Sequence, residues 1–297
     1  MTPVSRARIK VARWGAPIMV EYEVDHVRDD RTVYLQKDLD HALKRIRDYT
    51  VNDDDDSLIF VDGLEGSGKS KTARQIGYVL SKWNDTSFGL ENIHNDLESY
   101  KEQVMDVDDP EDFDSGRVAI LDEAKNTLDR LRQMSSSNVD FTNFMSENRD
   151  FNMHHIICAP AFHDIDPNTV KWRMNFLVHM KKGVTGADSP DYMSGERLQR
   201  GGFEAYENDE ELLYAYNNKY QYPDSPAIQG WFKDVEVLSD EELRQYKKQK
   251  HEEMREKYAE GGGFTDLQLQ ALGAVLEHAK SNRDVTTIFK EYEDKVD

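Results

Sequence analysis

The stretch "SLIFVDGLEGSGKSKT", residues 57–72, sets the tightest limit on how this chain can fold. Apolar residues run into a glycine-rich bend, and the bend runs straight into a segment with helical spacing. Gly63 to Ser70 fits the pattern GxxxxGK[ST] at every fixed position. A strand, a tight glycine loop and a helix in that order form a cradle for phosphate. The glycines let consecutive backbone N–H groups point inward, and the helix adds the positive end of its dipole. Gly63, Leu64, Glu65, Gly66, Ser67, Gly68, Lys69, Ser70 and Lys71 are therefore the candidate nucleotide-binding residues. The spacing assigns the phosphate-reaching role to Lys69 and not Lys71, and gives Ser70 a coordination position on Mg²⁺.

Such a loop belongs at the edge of a buried sheet, and the flanking sequence supplies one. Short apolar strands ("SLIFVDG", "FGLENIH", "RVAILDEA", "HHIICAP", "MNFLVHMKK") alternate with helical stretches up to about residue 182. The alternation predicts an α/β fold, a mainly parallel P-loop NTPase sheet covered on both faces, with ligands at the carboxyl ends of its strands. "RVAILDEA", residues 117–124, ends in Asp122-Glu123. Asp122 there can hold Mg²⁺, so Asp122 and Ser70 are the metal-binding candidates. Glu123, the next carboxylate, is the candidate general base for an attacking water. Guanine recognition would predict an Asn-Lys-x-Asp element, and "NNKYQ" at 217–221 lacks its aspartate. ATP with Mg²⁺ is the expected cofactor pair.

With the loop "GLEGSGKS", the strand "VAILDEA" and the downstream "ENRDFNMHHIICAPAFHDIDPNTVKWRMNFLVHM" in view, the chain resembles the FtsK/HerA-type translocating ATPases. The likeness is greatest to viral genome-packaging ATPases and zonular-occludens-toxin-like phage ATPases, and covers roughly residues 55–185. It implies an additional-strand, catalytic-glutamate core, a homo-oligomeric ring (hexamer or pentamer), a viral portal or assembly protein as partner, and ATP-driven movement of DNA. An arginine reaching the neighbouring subunit's γ-phosphate is implied as well, and Arg149 and Arg173 are the candidates. Relatives commonly carry Gln or Asn at the end of the strand after the acidic pair. Here "CAPAFHD" puts Pro160 there, which leaves that sensor unassigned.

Charge bears on the cargo. The 58 acidic against 38 basic side chains give a net charge of -20 over 297 residues, which opposes a broadly DNA-attracting surface. DNA contact would fall to local basic stretches: "RARIKVAR" at 6–13, "KRIR" at 44–47, "KWR" at 171–173 and Lys181-Lys182. The single cysteine, Cys158, reads as a buried strand residue and excludes an intramolecular disulfide, so a reducing, cytoplasmic location is expected, host cytoplasm if the protein is viral. No window approaches 18 consecutive apolar residues, and membrane insertion is not expected. His154, His155, His163 and His179 cluster near the last core strands and read as packing, not as a metal site.

Four segments are expected. Residues 1–52 hold strands ("RIKVAR", "TVYLQ") and an amphipathic helix with Leu39, Leu43, Ile46 and Tyr49 on one face. "NDDDDS", residues 52–57, reads as a solvated turn, because adjacent carboxylates repel one another. The ATPase core, 53–238, ends in a hairpin extension from "GGFEAYE" to "GWFKDVEVL". Residues 239–263 form a charged helix opened by a Ser239/Glu242 capping box and closed by the joint "EGGG". A helical pair at 264–297 reads as a docking element rather than a DNA reader, since its second helix is acidic. The sequence thus points to a DNA-translocating ring ATPase. Two alternatives stand beside it: a zonular-occludens-toxin-like assembly ATPase acting on proteins, and a P-loop small-molecule kinase.

Overall fold

Residues 8–10, 18–25, 31–53, 55–105, 116–122, 124, 141, 143–145, 147, 151–181, 201–217 and 222–260 are described by the computed structural model. The chain divides into two compact units, Met1–Glu242 and Leu243–Asp297. In the second, the described residues belong to a single long helix.

The first unit opens with a small antiparallel sheet of β1 (Arg8–Lys10), β2 (Met19–Glu23) and β3 (Thr32–Gln36), followed by α1 (Lys37–Asn52). Sequence reading missed β2, whose "MVEYE" alternates buried and less buried residues over only five positions. In α1, Leu39 and Leu43 are buried as expected, while Tyr49 is 41% exposed and turns its hydroxyl to Asp55.

The main sheet has seven strands. They are β4 (Ser57–Gly63), β5 (Ile93–His94), β6 (Val118–Leu121), β7 (His154–Ala159), β8 (Met174–Lys181), β9 (Gly202–Glu207) and β10 (Ile228–Trp231), in the spatial order β10-β9-β8-β4-β7-β6-β5. From β8 to β5 the pairing is parallel; β9 and β10 add antiparallel strands at one edge. In space, β7 stands between β4 and β6, although it follows both in sequence. That insertion is the additional strand expected from the resemblance. Every residue of β4, β6 and β7 is buried, which explains why these strands read as continuous apolar runs.

Helix α2 (Lys69–Trp83) covers one face and α3 (Leu97–Met105), α4 (Pro167–Trp172) and α5 (Glu210–Asn217) accompany the other. On the second face Leu58, Phe60, Leu121, Ile157, Ala159 and Leu177 pack with Tyr100, Phe141, Phe162 and Tyr216 in one cluster. On the first, α2 comes so close that a Cβ at Gly77 would lie 2.7 Å from Phe88, 3.1 Å from Ile120 and 3.2 Å from Val118.

Two expectations need correction. Asp55 and Asp56 are each only 7% exposed, so the acidic run is not wholly solvated. Asp55 accepts from Tyr49, and Asp56 pairs with Arg173 at 2.5 Å, which lets carboxylates enter the fold in compensated form. The extension after residue 201 is a paired β9–β10 ladder, but α5 and a further loop lie between the two strands, so it is not a simple hairpin. The capping box is present: Ser239 N donates to Glu242 Oε2 at 2.8 Å and Glu242 N to Ser239 Oγ at 3.3 Å, where α6 (Asp240–Glu260) starts. Residues 264–297 lie outside the described residues.

Candidate nucleotide site

Strand β4 delivers the glycine loop to the carboxyl edge of the sheet, beside the end of β6. Gly63, Gly66 and Gly68 take φ of +135°, +75° and +105°, conformations that favour glycine and turn the loop into a nest of N–H groups ahead of α2. Gly63 has a second constraint, since a Cβ there would lie 2.3 Å from the carbonyl oxygen of Met180 on β8. Leu64 (68% exposed) and Glu65 stand at the exposed tip, whereas Ser67 is fully buried.

Lys69 Nζ donates to the carbonyls of Gly63 at 2.7 Å and Leu64 at 3.2 Å, which holds the ammonium at the loop. Ser70 Oγ donates to Asp122 Oδ1 at 2.9 Å. The two sequence motifs, 52 residues apart, therefore meet in one hydrogen bond. Hard oxygen donors at this separation fit Mg²⁺, because neighbouring ligands of an octahedron with bonds of 2.0–2.1 Å lie about 2.9 Å apart. Asp122 is 2% exposed, and its N–H is anchored to His94 O at 2.7 Å, so β5 and β6 fix where the carboxylate sits. Lys71 points away from this chemistry and pairs with Asp234.

Sequence reading missed several residues around the loop. Asp62, fully buried one position before Gly63, accepts from Phe162 N at 2.8 Å, His179 Nδ1 at 2.9 Å and the Tyr222 hydroxyl at 2.5 Å. Gly63 N in turn donates to Pro160 O at 3.2 Å. The entry to the loop is thus tied to the segment that leaves β7. A lone buried Asp inside "IFVDG" carries no pattern that would reveal these partners. Cys158 lies beside Asp122, and burial together with that carboxylate pushes its thiol well above the usual range. A third group grips α2 from outside. Arg74 pairs with Glu236 through two bonds of 3.0 and 2.7 Å, and Gln75 Nε2 donates to Lys233 O and Val235 O, each at 2.8 Å.

The other candidates fall elsewhere. Glu123 and Arg149 lie outside the described residues. Arg173, at the amino edge of the sheet, is 14% exposed, pairs with Asp56 and donates to Met145 O at 2.5 Å. Among the described basic stretches, Lys44 pairs with Asp40, Arg45 with Glu207 and Lys181 with Glu204; Arg47 bonds Asn84 and Asp48, and Lys171 lies over the Trp172 ring. His154 and His155 are packing residues as expected, and burial holds both pKa values down to about 3. Among the described residues no group of three or more His, Cys, Asp or Glu is arranged to hold a metal ion. No helix among them is long and apolar enough to cross a membrane.

Sheet order, loop and acid-bearing strand together define an α/β core of the P-loop NTPase type. No protein-family model matches the sequence, and no curated protein matches it either. Among solved structures, the chain is similar to the genome packaging NTPase B204 from Sulfolobus turreted icosahedral virus 2 in complex with AMP, at 14% identity and a TM-score of 0.33. That match covers 52% of this chain and 92% of the other. It is also similar to the N-terminal domain of zonular occludens toxin from Neisseria meningitidis, at 17% identity and a TM-score of 0.30, covering 54% of this chain and 97% of the other. At this distance the likeness assigns no activity, substrate or partner to this chain.

Proposed function

We propose that this protein binds ATP with Mg²⁺ and hydrolyses it, and that it does so as a ring motor moving DNA. The observation that carries the first part is the 2.9 Å bond from Ser70 Oγ to Asp122 Oδ1 beside a positive-φ glycine loop. Loop N–H groups and Lys69 would bind the phosphates, and Ser70 and Asp122 would hold the cation. A bound Mg²⁺ supplies charge neutralisation on the phosphoryl oxygens. Glu123 follows Asp122 directly in sequence, which suits it to orient and deprotonate the attacking water. Arg149 is the remaining candidate for a trans arginine. Arg173 would have to leave Asp56 and Met145 O to serve in that role.

The ring and the DNA cargo are supported by the motif resemblance. One observation favours the alternative of a protein-assembly ATPase: the described cations of the basic stretches are largely engaged by carboxylates of their own chain. ATP turnover by the purified chain, measured with and without linear duplex DNA and alongside its oligomeric mass, separates the readings. The proposal expects a ring-sized species whose hydrolysis is stimulated by DNA and lost in Glu123→Gln. Hydrolysis indifferent to DNA would move the reading to protein assembly. Turnover only with a small phosphate acceptor would mean a kinase.

A further inference from the structure

Asp62 follows Leu58 and Phe60 on one face of β4 and ends that apolar row with a fully buried carboxylate. A buried charge one residue ahead of an anion-binding loop is unfavourable twice, through lost hydration and through repulsion of phosphate. What it supplies is strong, directional bonding. The partners come from three separate places in the fold. Oδ1 meets His179 Nδ1 of β8 at 2.9 Å, while Oδ2 accepts from Phe162 N, beyond β7, at 2.8 Å and from the Tyr222 hydroxyl, ahead of β10, at 2.5 Å. The Tyr222 ring lies 3.8 Å from that of His179 and 5.2 Å from that of Phe162, centroid to centroid, so it packs among the other partners of Asp62. Tyr206 holds the next residue, its hydroxyl donating to Pro223 O at 3.4 Å. Asp62 leads directly into Gly63, whose carbonyl receives Lys69 Nζ at 2.7 Å. The same stretch of chain reaches the far flank of the loop, where Glu236 and the carbonyls of Lys233 and Val235 hold Arg74 and Gln75 on α2. Tyr222 and Glu236 thus stand at opposite flanks of the phosphate loop.

We propose that Tyr222 is a positioning residue for the phosphate loop: its hydroxyl, bonded to Asp62, fixes the chain as it enters Gly63 and so sets nucleotide affinity. The inference rests on the reading of Gly63 to Ser70 as the ATP-binding loop. Asp62 already pairs with Ala159 and His179 in the parallel ladders, so two of its three bonds stay within or beside the strands that carry its backbone. Tyr222 comes from outside those strands, 160 residues on in sequence, and ties the loop entry to the β9–β10 extension. A tyrosine suits the place, because its ring packs against Phe162 and Tyr206 while its hydroxyl reaches a charge. Outer partners that hold a binding group in place typically change affinity or activity by about 10- to 100-fold when removed, as known for metal sites.

Binding of a fluorescent ATP analogue to the full chain, titrated to saturation with Mg²⁺ present, tests this. Tyr222→Phe removes the hydroxyl and keeps the ring. It should bind with the stoichiometry of the wild type but about 10-fold more weakly. A purely structural hydroxyl would lower the urea midpoint and leave affinity unchanged, and that result would overturn the proposal. A stoichiometry below that of the wild type would overturn it too, by making the hydroxyl a requirement of folding. The second arm repeats the substitution in an Asp62→Asn background, where the carboxylate it acts through is gone. There Tyr222→Phe should change affinity by much less than 10-fold, because both substitutions break the same bond. An equal loss in both backgrounds would show that the hydroxyl acts by another route. If the wild type binds no triphosphate, the reading of the loop fails first and the positioning role falls with it; if the wild type binds and Tyr222→Phe binds equally well, only the positioning role fails.

Discussion

Asp56 sits in a buried cluster at the amino edge of the sheet. Its carboxylate takes Arg173 at 2.5 Å and lies 3.8 Å from His155 Nε2; His155 Nδ1 in turn meets the Tyr100 hydroxyl at 2.5 Å. Removing one partner of such a pair leaves a buried charge uncompensated, at a cost of about 3–5 kcal/mol. Arg173→Ala should therefore lower unfolding stability by that order in urea denaturation. A variant of native stability that had lost only ATP turnover would instead mark Arg173 as a catalytic arginine. The histidines give a pH signature. With folded pKa values near 3, below the ordinary 6.5, His154 and His155 stay neutral in the fold, and the unfolded chain takes up protons first as pH falls. Their stabilisation is complete above pH 6.5 and is lost as pH drops toward 3. Each contributes about 1.4 kcal/mol of loss between pH 7.5 and 5.5, so His155→Gln should flatten the stability profile over that range by this amount. At this scale the sequence was legible where chemistry is local, as in Gly63 to Ser70. It was not legible where partners are distant: 117 residues separate Asp56 from Arg173, and no local window links them.

Helix α2 is buried without a break from Thr72 to Ser81. Its first turn carries the phosphate loop, and Arg74 and Gln75 are bound to the segment between β10 and α6. Its far end meets the small sheet, where Tyr78 donates to Glu23 O at 2.6 Å and Trp83 packs edge-on against Tyr22. Two variants probe this grip. Gly77→Val should overpack the contact with Phe88, Ile120 and Val118 and destabilise by about 1–3 kcal/mol. Glu236→Ala should destabilise by about 3–5 kcal/mol by taking the carboxylate from Arg74, whose side chain is 5% exposed. Both are read by chemical denaturation; no effect of Glu236→Ala would show that α2 is held by its apolar face alone, and no effect of Gly77→Val would contradict the close packing of that face. The strands of the core and the start of α6 were legible because continuous apolar runs and a capping box are strong local signals. The insertion of α5 between β9 and β10 was not, since a ladder reads the same in sequence whatever joins its strands.

At the scale of the whole molecule, a charge of -20 and engaged cations define what a DNA reading must overcome. Exposed pairs such as Arg45 with Glu207 are worth little and can exchange partners for phosphate, so they do not exclude DNA. The internal pair of Arg173 with Asp56 cannot do so cheaply. DNA binding by this chain should therefore be weak, non-specific and steeply salt-dependent, which titration of a labelled duplex at two salt concentrations would check. Fold class was legible throughout, because the order of loop, acid-bearing strand and inserted strand is a property of the chain as a whole. The most direct test of the central claim is a double-mutant cycle on Mg²⁺-dependent phosphate release, using Ser70→Ala, Asp122→Asn and the pair together. If the two side chains form one Mg²⁺–ATP site, each single variant loses about 10²-fold or more, and the double variant is hardly worse than the more damaged single. Losses that simply multiply, or phosphate release that persists without Mg²⁺, would contradict it.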